Sequence, residues 1–167
     1  MIADLQRYLL IMEPLRSITE RLAAKAVSRL SRMPTEFGRS NYGVLYFKWQ
    51  SPCPEIDALW VSVQPTEVTL SCRISHTHFS ATRYHHESLT RLKLKRRIVH
   101  DGFREVSRFL DGEVAATISY DAQGKVHSYG WCDKSQLHSS MEYLRKVFGA
   151  DMSERAWNWD GEVNVSS

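Results

Sequence analysis

Four histidines stand close together in one short part of the chain. His76 and His78 are two residues apart, a spacing that places both imidazoles about 7 Å apart on one face of a β-strand, and His85 and His86 follow within ten residues. Imidazole is a good ligand for zinc and nickel, so a metal site is one hypothesis. No carboxylate or cysteine stands at a supporting spacing, and surface histidines near a turn explain the pattern equally well.

A second hypothesis is a metal-independent ribonuclease. Cleavage by general acid and base catalysis needs two groups that titrate near neutral pH, beside a cation that binds the phosphate. His100 with Arg97 and Arg104, and with His127 or His78 as the second group, would supply such a set. Any chain with seven histidines and 22 lysines and arginines permits this construction, so its specificity is low.

Other motifs for catalysis or cofactor binding are absent from the sequence. It contains no G-x-S-x-G elbow, no G-x-G-x-x-G loop and no Walker A loop, and its cysteines have neither an active-site context nor zinc-finger spacing. We therefore predict that the chain is not an enzyme and that it binds no cofactor and no metal.

The long helix predicted for residues 88–110 carries a row of basic side chains. Lys93, Arg97, Arg104 and Arg108 fall within about 60° of one another on a helical wheel, with His100 beside them and away from the main apolar arc. Such a row can contact a partner's carboxylates or the phosphates of a nucleic acid. We predict that these four cations bind a partner.

A solvated helix face is the competing explanation for this basic row. Pairs within the helix, such as Asp101–Arg104, would offset part of its charge. A nucleic acid would also require exposed aromatic side chains for stacking. The helix offers Phe103 and Phe109, and the apolar pattern assigns both to the core.

Tryptophan is a favoured anchor residue in protein interfaces. Of the five tryptophans, Trp49, Trp60 and Trp131 are expected to fill the core over a sheet. Trp157 and Trp159 share one side of a presumed strand late in the sequence. We predict that these two are exposed and bind a partner.

Hydrophobic periodicity predicts the elements that position these side chains. Helical spacing occurs in residues 2–12, 15–33, 88–110 and 135–148. Strand patterns occur in residues 42–50, 58–63, 68–75, 113–120 and 125–132, with a weaker strand in the tail. The segments 113–120 and 125–132 should form a hairpin, because residues 121–124 suit a type I turn with a following left-handed residue. Pro14 should break the first helical region, Ser17 and Glu20 match a capping box, and Pro34 and Gly38 should end the second. His76 and His78 continue the inward-facing parity of the strand at residues 68–75, whereas Phe79 and Ala81 have the opposite parity, which predicts a bulge or turn near residues 75–79.

The order of these elements predicts the fold class. Strands come in runs with few helices between them, which favours an α+β fold with a mostly antiparallel sheet of about five to six strands. Helices are expected at the N-terminus, in the middle and near the C-terminus. The 167 residues fit a single domain, in which a helical segment, 1–36, packs on an α+β core, 41–167.

Charge and cysteine content bear on partners and location. Residues 83–108 carry five more basic than acidic side chains, whereas residues 109–167 carry four more acidic than basic ones. Such a division can steer a charged partner. Three widely spaced cysteines do not indicate a disulfide framework, and the first residues lack the basic and apolar segments of a secretory signal. We expect a cytoplasmic protein with no membrane association.

This profile resembles that of the small bacterial immunity proteins, which neutralise a cognate toxin, as in contact-dependent growth inhibition. A small α+β chain without a chemical motif, with many aromatic residues and a divided charge, carries the resemblance. It implies a non-catalytic protein-binding module that occludes the active site of a toxin domain with a charge-complementary patch. The alternative is a nucleic-acid-binding protein or a metal-independent ribonuclease that uses helix 88–110.

Overall fold

The structure, a computed structural model, describes Leu15 and residues 17–165. Within this part of the chain there are three α-helices and nine β-strands, with short 3-10 turns at Ala81–Tyr84 and Lys134–Gln136. The helix predicted for residues 2–12 and the break predicted at Pro14 lie outside the described residues. None of the described helices is long and apolar enough to cross a membrane.

The helices are α1 (Ile18–Val27), α2 (Arg91–Leu110) and α3 (Leu137–Phe148). The strands are β1 (Glu36–Arg39), β2 (Leu45–Gln50), β3 (Ala58–Gln64), β4 (Glu67–Ser71), β5 (His76–Ser80), β6 (Val114–Tyr120), β7 (Val126–Asp133), β8 (Ser153–Asn158) and β9 (Gly161–Val163).

The strands form two sheets, one with the order β1-β2-β3-β4-β5 and the other with the order β7-β6-β8-β9. The pairings β1–β2, β6–β7, β6–β8 and β8–β9 are antiparallel. The predicted α+β class is therefore confirmed, but the strands are divided between two sheets instead of forming one sheet of five or six.

The contacts between residues divide the protein into two compact units. Of the described residues, the first contains 15, 17–50, 60–70 and 77–107, and the second contains 51–59, 71–76 and 108–165. Both units are discontinuous in sequence, so no linker marks a boundary between them. The single domain expected from the sequence stays a prediction.

Alternating burial along β2 builds the core of the first unit. The buried residues of this strand are Leu45, Phe47 and Trp49, as the sequence predicts. The ring of Phe103 on α2 meets Phe47 edge-on, with ring centroids 6.1 Å apart. A Cβ at Gly102 would lie 2.9 Å from Cγ1 of Val68, so the absence of a side chain at this position allows α2 to approach β4 closely.

Helix α1 is tied to the five-stranded sheet by its first turn. The predicted capping box is confirmed: the Ser17 hydroxyl accepts from the Glu20 N–H at 3.1 Å, and the Glu20 carboxylate accepts from the Ser17 N–H at 3.2 Å. The same carboxylate accepts from Arg39 at 2.9 Å, where the two side chains are only 9% and 7% exposed. Thr19 donates its hydroxyl to the Pro65 carbonyl at 2.8 Å. These contacts fix the position of α1.

The predicted end of the N-terminal helical region is wrong. Helix α1 ends at Val27, well before Pro34, and Gly38 lies inside strand β1 instead of terminating a helix. A Cβ at Gly38 would lie 3.3 Å from the Tyr46 hydroxyl, so the tyrosine packs over the glycine. With four residues, β1 is too short for alternation to reveal it.

The change of parity predicted near residues 75–79 occurs earlier in the chain. Strand β4 ends at Ser71, the chain turns over residues 72–75, and β5 begins at His76. In β5 it is Phe79 that is buried, whereas His76 and His78 are exposed, so the inward orientation expected for these histidines is wrong. After the turn, the alternation of inward-facing and outward-facing residues continues with the opposite parity.

The second unit contains the predicted hairpin of β6 and β7. The Gly124 N–H donates to the Asp121 carbonyl at 2.9 Å, and Gly124 has φ +73°, so the predicted turn with a left-handed residue is confirmed. Helix α3 matches its predicted range, and Leu137 on its first turn packs with Ala115 of β6 and Ala156 of β8.

Aromatic rings fill the core of the second unit. Phe109 stacks on Trp131 with centroids 4.6 Å apart and meets Trp159 edge-on at 6.2 Å. Trp157 and Trp159 are each 3% exposed, so the prediction that they are exposed anchors is wrong. Asn158 pairs with Gly161 across a turn made of residues 159 and 160, and this register directs both indoles inward.

Candidate functional site

A buried carboxylate, that of Asp101, lies at the centre of a polar cluster on helix α2. Its side chain is 8% exposed. It accepts hydrogen bonds from the Tyr84 hydroxyl and from Nδ1 of His100, each at 3.0 Å. Nε of Arg97 lies 3.0 Å from the carboxylate and a terminal nitrogen of Arg104 lies 3.8 Å from it. These five residues are called the Asp101 cluster below.

Helical spacing brings four members of the cluster together. Arg97 lies four residues before Asp101 and Arg104 three residues after it, so both guanidinium groups reach the carboxylate along one helix face. The Asp101–Arg104 pair predicted from the sequence is thereby confirmed. Tyr84 comes from the 3-10 turn that precedes α2.

The electrostatics of the cluster keep Asp101 ionised and Tyr84 neutral. Burial by itself would raise the pKa of Asp101, but hydrogen bonds from His100 and Tyr84 and the charges of Arg97 and Arg104 outweigh it, so this pKa is lowered. Burial and the hydrogen bond to Asp101 raise the pKa of Tyr84 to about 12. Near neutral pH, neither group can take up a proton as a general base.

The outer members of the cluster present positive charge to solvent. The side chains of Arg97, His100 and Arg104 are 49%, 66% and 61% exposed, although Arg97 and His100 each have one atom 3.0 Å from the buried carboxylate and Arg104 has one at 3.8 Å. Two guanidinium groups share one carboxylate, so the surface keeps a net positive charge. Donors fixed in this way can bind a carboxylate or a phosphate with little further ordering.

The predicted basic row does not behave as one surface. Lys93 is exposed on α2, before the cluster. Arg108 is bound instead by two carboxylates of the second unit, those of Glu113, at 3.1 Å, and of Asp133. Its charge is therefore engaged within the protein, and Arg97 and Arg104 are the members of the row that the structure brings together.

A groove of about 220 Å³ lies between α1 and α2 in the first unit. Its apolar lining consists of Leu22, Ala26 and Val99. Its basic lining consists of Lys25, Arg29, Arg96 and His100. No acidic side chain is present among these described lining residues, and His100 belongs both to this groove and to the Asp101 cluster.

The other histidines make separate local contacts. His78 lies 2.9 Å from the Glu67 carboxylate, and the ring of His127 lies 4.5 Å from that of Phe148. Neither contact involves His100, so the second acid or base that a ribonuclease would need is not identified.

His85 and His86 contact each other, with a ring nitrogen of one 3.3 Å from that of the other. Across residues 15 and 17–165, no group of three or more His, Cys, Asp or Glu side chains is placed to hold a metal ion.

Trp60 is a surface residue that the sequence analysis assigned to the core. It is 36% exposed, its ring lies 5.4 Å from that of Tyr46, and Nζ of Lys48 lies 4.7 Å from its ring. Leu59 and Val61, its neighbours in β3, are buried, so the alternation of the strand places Trp60 on the opposite face. That alternation was the signal that could have found it.

The groove residues were also missed, for different reasons. Arg96 lies four residues before His100, so the helical wheel could have placed it beside the basic row. Lys25 lies on α1 and Arg29 just after it, and nothing in the sequence indicates that this segment and α2 line a common groove. Tyr84 is separated from Asp101 by 17 residues and reaches it only through the fold.

Comparisons of the chain with protein-family models, with curated proteins and with solved structures returned no match.

Proposed function

We propose that this protein is a non-catalytic protein-binding module whose basic surface on α2 binds an acidic surface of its partner. In this proposal it is a bacterial immunity protein that works in the cytoplasm and occludes the active site of a toxin domain. The observation that supports it is the arrangement of Arg97, His100 and Arg104, which are exposed and held in place by the buried Asp101.

The net charge of the first unit and the fixed orientation of its arginine side chains both favour a protein partner. Seven more basic than acidic residues belong to the sequence of the first unit. Arginine is enriched at the energetic centres of protein interfaces, and holding its side chain in advance reduces the entropy lost on binding. A carboxylate-rich partner would find two oriented guanidinium groups on the Asp101 cluster.

A second candidate function is metal-independent cleavage of RNA. The hydrogen bond from His100 to Asp101 favours it, because a carboxylate that orients an imidazole is a common arrangement for a general base. Two features favour the protein-binding function instead. Phe103 and Phe109 are buried, so α2 offers no aromatic ring for base stacking, and the His100 contacts include no second titratable group poised near neutral pH.

The test of the proposed function is charge reversal on the Asp101 cluster. The double variant Arg97→Glu and Arg104→Glu should weaken binding of the partner, captured from the native host and purified, by about 100-fold or more. Its matched control is Lys125→Glu with Lys146→Glu, which makes the same change in net charge on the second unit and should bind normally. Because glutamates beside Asp101 can destabilise the fold, Arg97→Gln with Arg104→Gln is measured in parallel, with unfolding curves for each variant.

The same variants test the biological role. In cells that produce the partner, the wild-type chain and the control variant should restore growth and the arginine variants should not. Equal binding by all variants would contradict the proposal. Cleavage of a labelled single-stranded RNA by the purified chain, abolished in His100→Ala, would establish the ribonuclease function in its place.

A further inference from the structure

We infer that the α1–α2 groove binds one apolar side chain of an acidic peptide segment that belongs to the partner. This inference rests on the proposed function and identifies the segment of the partner that binds. It concerns Leu22, Ala26 and Val99 on the apolar side of the groove, and Lys25, Arg29 and Arg96 on its basic side.

The size and chemistry of the groove suit a hydrophobic side chain. Its volume of about 220 Å³ exceeds the ~150 Å³ of an engineered protein cavity that binds benzene. Ala26 contributes a single methyl group, so space remains above it for a leucine or phenylalanine side chain. Burial of such a group favours binding, because apolar surface is removed from water on both sides.

The charges beside the groove specify acidic neighbours for that side chain. Lys25 lies in the last turn of α1 and Arg29 in the turn that follows the helix. Arg96 and His100 are four residues apart along one face of α2, so cations flank the groove from both segments. With no acidic group among the described lining residues, carboxylates that flank the apolar anchor would each meet a cation. A nucleic acid phosphate would use the cations but would leave the apolar lining without a partner, which favours a peptide.

Both walls of the groove are positioned before any ligand binds. Hydrogen bonds from Thr19 to Pro65 and the buried pair Glu20–Arg39 fix α1. The close approach of Gly102 to Val68 fixes α2 against the sheet. A groove with fixed walls loses little conformational entropy on binding.

The experiment measures binding of a fluorescein-labelled peptide of about nine residues, with one central leucine flanked by glutamate and aspartate. A matched peptide has serine in place of the leucine. Ala26→Phe fills the groove without changing charge, and Arg96→Glu reverses one charge. Lys125→Glu is the matched charge control on the second unit. Each groove variant should weaken peptide binding about tenfold or more, the serine peptide should bind about tenfold more weakly, and the control variant should bind as wild type.

Several results would overturn the inference. Equal binding of the leucine and serine peptides would exclude an apolar anchor. If Lys125→Glu weakened peptide binding as much as the groove variants, overall charge and not the groove would determine the affinity. Tighter binding of a single-stranded RNA of matched length, with the same loss in the groove variants, would assign the groove to nucleic acid.

The experiment also tests the other possible occupants of the groove. A photo-crosslinking amino acid at position 26 of the full chain should capture the peptide. Capture of residues 1–14 of the same chain would assign the groove to the protein itself, and capture of a second chain would assign it to self-association. Unfolding curves identify any variant that fails to fold, and Arg29→Glu then replaces it.

Comparison with the natural partner separates this inference from the proposed function. If the double variant Arg97→Glu with Arg104→Glu no longer binds the partner but Ala26→Phe binds it normally, the groove inference is wrong and the proposed function stands. If both variants retain the partner, the proposed function also fails.

Discussion

Two aspartates show how single residues organise charge in this protein. Asp101 is buried and pairs with Tyr84, His100 and Arg97 at 3.0 Å, with Arg104 farther away at 3.8 Å. Asp133 lies in the second unit and accepts from the Ser135 hydroxyl at 2.7 Å, from the Ser135 N–H at 3.0 Å and from Arg108. Hydrogen bonds from Ser135 and Arg108 lower the pKa of Asp133 from its ordinary 3.8 to about 2.

The lowered pKa of Asp133 predicts a dependence of stability on pH. The folded protein binds this proton more weakly than the unfolded chain, so the ionised carboxylate stabilises the fold at pH values above about 4. That contribution is lost as the pH falls from 3.8 towards about 2. Asp133→Asn should therefore lower the free energy of unfolding at pH 7 by about 1 kcal/mol.

The measurement is urea unfolding of wild type and Asp133→Asn at neutral pH and at a pH near 2. The difference between the two proteins should shrink as the pH falls, because protonation removes the same charge from wild type. Asp151→Asn, which removes an exposed carboxylate in the same unit, is the control. A difference that is constant with pH would contradict the assigned role of the ionised carboxylate.

At the residue scale, sequence analysis identified part of the candidate site. Helical spacing alone brought His100, Arg97 and Arg104 onto one face, and the structure confirms that they are neighbours around Asp101. The sequence alone could not show which tryptophans are exposed, because the register of the tail hairpin buries Trp157 and the alternation of β3 exposes Trp60. Both outcomes depend on pairing between strands, which a single sequence does not specify.

Among the elements, helix α2 determines most of the site, and its position depends on Gly102. Glycine in a helix interior costs about 1 kcal/mol relative to alanine, so helix propensity by itself favours replacement. The structure gives the opposite expectation, because a Cβ at this position would lie 2.9 Å from Cγ1 and 3.2 Å from Cβ of Val68.

Gly102→Ala should accordingly destabilise the protein, by about 1–3 kcal/mol. In a Val68→Ala background the γ-methyl groups are gone and only Cβ at 3.2 Å remains, so the same replacement should cost less. The four proteins of this double-mutant cycle are compared by chemical unfolding, and a coupling energy of about 1 kcal/mol or more is expected. If Gly102→Ala is equally stabilising in both backgrounds, α2 does not depend on this close approach.

Long elements were predictable and short ones were not. The periodicity of α2, α3 and the β6–β7 hairpin extends over enough residues to stand out from chance. Strand β1 has four residues, too few for alternation to show. The turn at 72–75 has no glycine or proline to mark it, so the change of parity placed it a few residues too late. The misplaced turn also assigned the β5 histidines to the wrong face.

For the whole molecule, the division of charge follows the two units. The first has seven more basic than acidic residues, and the second has four more acidic than basic ones. The sequence showed a basic middle and an acidic final third. It could not show that residues 17–50 share a unit with the basic helix, because distant segments combine in each unit.

This distribution predicts that electrostatic attraction accelerates association with an acidic partner. Raising the ionic strength from about 0.01 M to 0.1 M shortens the Debye length from ~30 Å to ~10 Å. The association rate constant should fall by about tenfold or more over this range, and the dissociation rate constant should change much less. Stopped-flow or surface-binding kinetics would measure both constants. An association rate that does not depend on salt would argue against an acidic binding surface.

Each unit is built from several separate segments of the sequence, and this has a practical consequence for genetics. The chain alternates between them at residues 50/51, 59/60, 70/71, 76/77 and 107/108. A nested series of deletions, the usual route to a minimal active fragment, would remove parts of both units once it passes residue 50 from the N-terminus or residue 108 from the C-terminus. Maps of activity on this gene must therefore be drawn with point substitutions, and a truncation that abolishes activity would identify no particular surface.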